Sequence, residues 1–227
     1  MERVTDHLGP LRDNHIYRKL LDHPATRGNT KSFTRLLQHR KTEEHNRLKK
    51  YLRRHPRRNV RRRIKRIEQT FQAVSKNWTD EEYRAAFKKA MRQRRDAWLL
   101  ARQIWEHEPD NKNFHKMRVE LRDLRYTTEI IAEALGVLDT RAIRTVLRTL
   151  RSLQTSMGNI HDVHMLRTEL VAWTSGRPPR KRSRDMAAAS ELQKEYDRQF
   201  ADFKERFLAF ENPLPSFEPV GKILAEL

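Results

Sequence analysis

Met117, Leu121, Leu124, Ile131 and Leu135 recur at steps of three, four or seven residues. At about 100° per residue they form one narrow apolar stripe of an α-helix. His115, Arg118, Arg122 and Arg125 fall on a second stripe, roughly 120° round the same helix. The apolar stripe has to face a core, so the cations are placed at its rim or along a groove. Neither Gly nor Pro interrupts the segment, and Pro109-Asp110 marks a plausible start.

The same periodicity predicts helices elsewhere. One is expected over 13–22, ended by Pro24 and Gly28, and a second over 31–54, broken at His55-Pro56 because a residue before proline avoids helical geometry. Others are expected over 57–74, 79–107, 112–135, 140–155, 159–174 and 185–210. Thr79-Asp80-Glu81-Glu82 reads as a capping box. Tyr83, Phe87, Met91, Trp98 and Trp105 supply the core of the helix that follows. Residues 176–184 read as a basic loop, and 213–227 as a loosely packed tail. Alternating β-branched runs are missing, so the chain is expected to be all-α.

Charge adds a partner class to this outline. The 49 Lys and Arg against 30 Asp and Glu give a formal charge of +19. Such an excess favours a polyanion: nucleic acid, inorganic polyphosphate or an anionic membrane. With no cysteine there is no disulfide, thiolate nucleophile or Cys-based zinc site. No apolar run is long enough to cross a membrane, and the first residues lack a signal-peptide core. A soluble protein of a reducing cytoplasm is expected.

Two segments match without gaps. Gly9-Pro10-Leu11-Arg12-Asp13-Asn14-His15 lies over Gly158-Asn159-Ile160-His161-Asp162-Val163-His164, and the match runs on to Leu21 over Leu170. This self-similarity predicts a duplicated helical unit. A basic helix precedes Gly158, but its counterpart before Gly9 would fall ahead of Met1. The first half is therefore expected to lack its opening basic helix.

His115-Lys116-x-Arg118-x-x-x-Arg122-x-x-Arg125-Tyr126, followed by Leu153-Gln154-x-x-Met157-Gly158-x-Ile160-His161-Asp162, resembles the conserved histidine α-helical domain, CHAD. Leu8-Gly9-Pro10-Leu11-Arg12-Asp13 resembles the equivalent site of that family's first half. The resemblance implies a single CHAD-like domain over 1–212, built of two helical bundles related by a pseudo-two-fold axis. A partial first bundle would occupy about 1–107 and a second about 108–212. It also implies a basic groove or pore binding inorganic polyphosphate, and association with polyphosphate granules. A second copy of the chain is the candidate supplier of the missing wall, with a homodimer as the candidate assembly.

His115, Lys116, Arg118, Arg122, Arg125 and Tyr126 are the first candidates for ligand contact, because the planar fork of Arg matches phosphate oxygens. Replacing Arg118, Arg122 and Arg125 together is expected to weaken binding and leave the fold intact. Arg144, Arg148 and Arg151, with Arg141, repeat the spacing on the next helix; an outer solvated face is the competing interpretation. Arg12, His15 and Arg18 pair with His161, His164 and Arg167 across the repeat. Asp13 and Asp162 are expected to cap helix starts or pair with an arginine. The run Arg47–Arg66 holds 12 Lys and Arg with no acid, and within it Arg47, Lys50 and Arg54 are candidate contacts. His161, Asp162 and His164 admit a metal-ligand interpretation, though Arg12 stands where the repeat would place a histidine.

There is no P-loop, nucleophile elbow or paired-carboxylate motif. No catalytic residue, resident metal or cofactor is expected. The alternatives are a general RNA- or DNA-binding helical protein and a metal-dependent phosphohydrolase.

Overall fold

The computed structural model describes residues 4–22, 30–55 and 57–209. These form seven α-helices and no strand: α1 (Val4–Leu21), α2 (Lys31–Arg54), α3 (Arg57–Ser75), α4 (Asp80–His107), α5 (Asn111–Ala134), α6 (Arg141–Ser175) and α7 (Pro179–Ala209). The all-α expectation holds. Pro24, Gly28 and the tail after Pro213 lie outside the described residues.

Local chemistry sets several helix ends. The amide of Glu82 donates to the Thr79 hydroxyl at 3.3 Å, and the amide of Thr79 donates to the Glu82 carboxylate at 2.7 Å. This is the expected capping box, which satisfies amides that lack a helical partner. Asp110 caps α5 by accepting from the amide of Asn113 at 2.6 Å. α5 stops before Gly136, whose φ of +67° suits a residue without a Cβ.

Three boundaries differ from the sequence expectation. α1 begins at Val4 and carries Pro10 inside it. α6 runs unbroken through residues 156–158, where a gap between two helices was expected. The reason is burial on both sides of Gly158: Met157, Ile160 and Val163 are each at most 2% exposed, which outweighs the roughly 1 kcal/mol a helical glycine costs. α7 starts inside the expected basic loop, with Pro179 at its first position, where a missing N–H costs nothing. A Cβ added at Gly158 meets nothing within 4 Å. Gly158→Ala should therefore stabilise the fold by about 0.5–1 kcal/mol, read as a rise in the urea midpoint.

The described residues divide into two compact units. The first takes α1, α2, α3, α6 from Ile160 and α7 up to Ala201. The second takes α4, α5, α6 up to Asn159 and α7 from Asp202. The halves read from the sequence meet at residues 107 and 108. In the structure α4 groups with α5, and both repeated segments, from Leu11 and from Ile160 onward, lie in the first unit.

In the first unit Tyr17, Phe33, Leu37, Leu166 and Leu170 are buried, and Phe33 packs against Trp173 with ring centroids 5.2 Å apart. The Asn14 amide donates to the Leu37 carbonyl at 2.8 Å, tying α1 to α2. In the second unit the α5 stripe is buried through Met117, Leu121, Leu124 and Ile131, with Leu135 half-buried. Trp98 and Trp105 of α4 are at most 1% exposed, while Tyr83 and Phe87 are only half-buried. Trp105 lies within 6.0 Å, centroid to centroid, of Phe114, Phe203 and Phe207.

Candidate functional site

The cation stripe of α5 runs beside the buried stripe of the same helix. His115 and Lys116 are exposed, and Arg118 is half-buried. Arg122 keeps 42% of its side chain exposed and pairs with Asp123 at 2.9 Å. Arg125 is different, with 14% exposure. Its Nε donates to Gln154 at 2.6 Å and its Nη1 to both oxygens of Glu129 at 2.8 and 2.9 Å. Its guanidinium also covers the Tyr126 ring at 4.3 Å. Arg125 thus holds α5 against α6, and the expectation that it can be removed with the fold intact does not carry over to it.

Arg151 reaches the same carboxylate, at 2.7 Å, from α6, with 60% of its side chain exposed. α5 and the first part of α6 are joined by residues 135–140 and pair as an antiparallel hairpin, Arg125 beside Gln154 and Glu129 beside Arg151. Arg148 and Arg144, both exposed, continue the row away from this junction. His115, Arg118, Arg122, Arg125, Arg151, Arg148 and Arg144 then follow one another over about 30 Å, one cation roughly every helical turn. Arg144, Arg148 and Arg151 line an open hollow of about 340 Å³ with Leu138, Asp139 and Leu147.

Glu129 was not singled out in the sequence, although its place four residues after Arg125 is the signal for a helical ion pair. It neutralises the middle of the row. Glu129→Gln should release Arg151 and tighten polyanion binding about 5-fold. Stability should fall by about 1 kcal/mol as the two partly exposed ion pairs of Glu129, with Arg125 and Arg151, weaken. Parallel binding and urea titrations measure both.

His115 has its pKa lowered, first by desolvation and then by Arg118 and Arg122. The free site therefore holds a neutral imidazole among guanidinium groups at physiological pH.

The repeat residues sit in the first unit. Arg12, 62% exposed, meets Asp162 at 3.8 Å, the expected pairing of Asp162 with an arginine. Asp13 and Asp162 lie well inside α1 and α6, so neither caps a helix start. His15 is exposed; Arg18, His161 and Arg167 are half-buried. The His164 ring lies 5.3 Å from that of Tyr196, and its pKa is lowered by desolvation, then by Arg167. No group of three His, Asp or Glu side chains converges on a metal position among the described residues.

On α2, Arg47 pairs with Glu44 at 2.7 Å, and Lys50 and Arg54 are exposed. Arg177, in the expected basic loop, has a structural setting the sequence did not signal. It stacks on Trp173 at 4.1 Å, donates to Ser32 at 3.3 Å and faces Asp185 at 3.7 Å. No helix among the described residues is long and apolar enough to cross a membrane.

The family model for the CHAD domain matches residues 1–171. No curated protein and no solved structure matches the chain.

Proposed function

Because this chain belongs to the CHAD domain family, we propose that it binds inorganic polyphosphate along the α5–α6 cation row of its second unit. The observation that carries this is the shared carboxylate of Glu129. Arg125 and Arg151 meet on it, which joins two helical rows into one line of cations. A linear polyanion with a phosphate at every repeat suits such a line better than a compact anion does. Each Arg offers two or more donors to phosphate oxygens. Attachment to polyphosphate granules is the cellular consequence.

The protein acts as a binding module. Arginine stays protonated and supplies no general base, and the neutral imidazole of His115 sits among guanidinium groups that disfavour its taking up a proton. Sequence-specific RNA recognition would call for free aromatic faces. Tyr126, beside the row and 46% exposed, has the Arg125 guanidinium over its ring.

The test is a titration of the full chain with long-chain polyphosphate at roughly physiological salt, with duplex DNA and single-stranded RNA as competitors. Tight binding that nucleic acids displace weakly is expected. Equal affinity for all three would reduce the row to a general polyanion trap.

A bound polyanion reverses the electrostatics at His115. Phosphate oxygens favour the imidazolium that Arg118 and Arg122 disfavour. Binding therefore takes up a proton, and affinity should rise about 3- to 10-fold between about pH 8 and about pH 6. Without ligand the sign is opposite: stability rises with pH between the lowered value and the ordinary one, because the unfolded chain binds more protons there. Dissociation constants across that range check this, and His115→Gln should remove most of the slope.

A further inference from the structure

The middle of α3 lies open to solvent. Every residue from Arg61 to Ala73 is exposed. Three of them are large and apolar: Ile64 at 50%, Ile67 at 69% and Phe71 at 59%. Their spacing places them within an arc of about 60° on one side of the helix. Arg58, Arg61, Arg62, Arg63, Lys65 and Arg66 flank that side in the first three turns. Glu68 is the only acid of the helix.

From this arrangement we propose that α3 is an in-plane anchor for an anionic lipid surface, with Ile64, Ile67 and Phe71 entering the boundary between headgroups and acyl chains. The charges decide between occupants. A second copy of α3 laid on the stripe would bring two sets of seven Lys and Arg together, which is repulsive. Polyphosphate or another free anion would satisfy the cations and leave the apolar residues in water. An anionic bilayer takes both: lipid phosphates meet the arginines and the interface buries the stripe. With 19 residues α3 is about 28 Å long, enough to lie flat on the surface with its apolar arc down. It is far too polar to span the bilayer.

This goes beyond polyphosphate binding and uses other residues, so the two can fail separately. The test compares the full chain with an Ile64→Gln/Ile67→Gln/Phe71→Gln variant on vesicles of phosphatidylcholine alone and with added phosphatidylglycerol. Sedimentation is run at low salt and at high salt, where screening confines electrostatic attraction to a few Å. The wild-type chain should bind only the anionic vesicles and keep a salt-resistant fraction. The variant should lose that fraction, with affinity weaker on the order of 100-fold. Because the chain has no cysteine, a Phe71→Cys variant can carry a single environment-sensitive dye, whose emission should shift to the blue on anionic vesicles. Unchanged helicity and polyphosphate affinity of the triple variant show that only the anchor was removed. Equal vesicle binding by variant and wild type, or a dye that stays in water, overturns the proposal. So does a variant that loses RNA binding but keeps its vesicles, which would make α3 a nucleic-acid face.

Discussion

Replacing Arg122, Arg144 and Arg148 together with alanine should weaken polyphosphate binding by about 10²- to 10³-fold and leave the fold intact. Each lost charge-assisted phosphate contact is worth roughly 1–1.5 kcal/mol after screening and solvation. All three side chains are solvent-accessible, and among the described residues Arg122 pairs with Asp123, its sequence neighbour. They are therefore cleaner probes than Arg125, whose loss would take away the Gln154 contact between α5 and α6 and leave Glu129 to Arg151 alone. Each contact also releases counterions, so the salt slope of binding should drop by about 2 when the three are removed. Titrations at several salt concentrations measure both effects.

Trp105→Ala should have the largest effect on stability, about 4 kcal/mol. Trp105 is 0% exposed, and large-to-small changes at such sites lose transfer energy and leave a cavity. Its ring meets Phe114 of α5 and Phe203 and Phe207 of α7, so three aromatic contacts are lost at once. A loss of this size is a large fraction of the stability of an ordinary domain. Urea unfolding followed by far-ultraviolet circular dichroism reads it directly. Trp105→Phe, which keeps an aromatic ring in place, should cost less than half as much.

α5 was legible in the sequence nearly in full, because its cap, its stripe and its stop are local. Asp110, Met117-Leu121-Leu124-Ile131 and Gly136 each act through neighbours a few residues away. The unbroken course of α6 was hidden because Gly158 is locally a breaker, and only the burial of Met157, Ile160 and Val163 overrides it. α1 was read short for a similar reason, since Gly9-Pro10 outweighs the residues before it unless tertiary contacts such as Asn14 with Leu37 are known. Within the site, both basic rows were visible as spacing. That they continue each other was not visible, because it depends on the pairing of Arg125 with Gln154 and of Arg151 with Glu129 across a hairpin. The apolar arc of α3 is plain in the sequence, but its exposure is a property of the fold.

Position in the α5–α6 row, and not net charge, is expected to set polyphosphate affinity. The most direct measurement compares Arg122→Ala/Arg144→Ala/Arg148→Ala with Arg58→Ala/Arg61→Ala/Arg62→Ala on α3, two variants that remove the same charge. In one polyphosphate titration at roughly physiological salt, the row variant should lose about 10²-fold or more and the α3 variant only a few-fold. Equal losses in the two would contradict the site and leave only the +19 charge to account for binding.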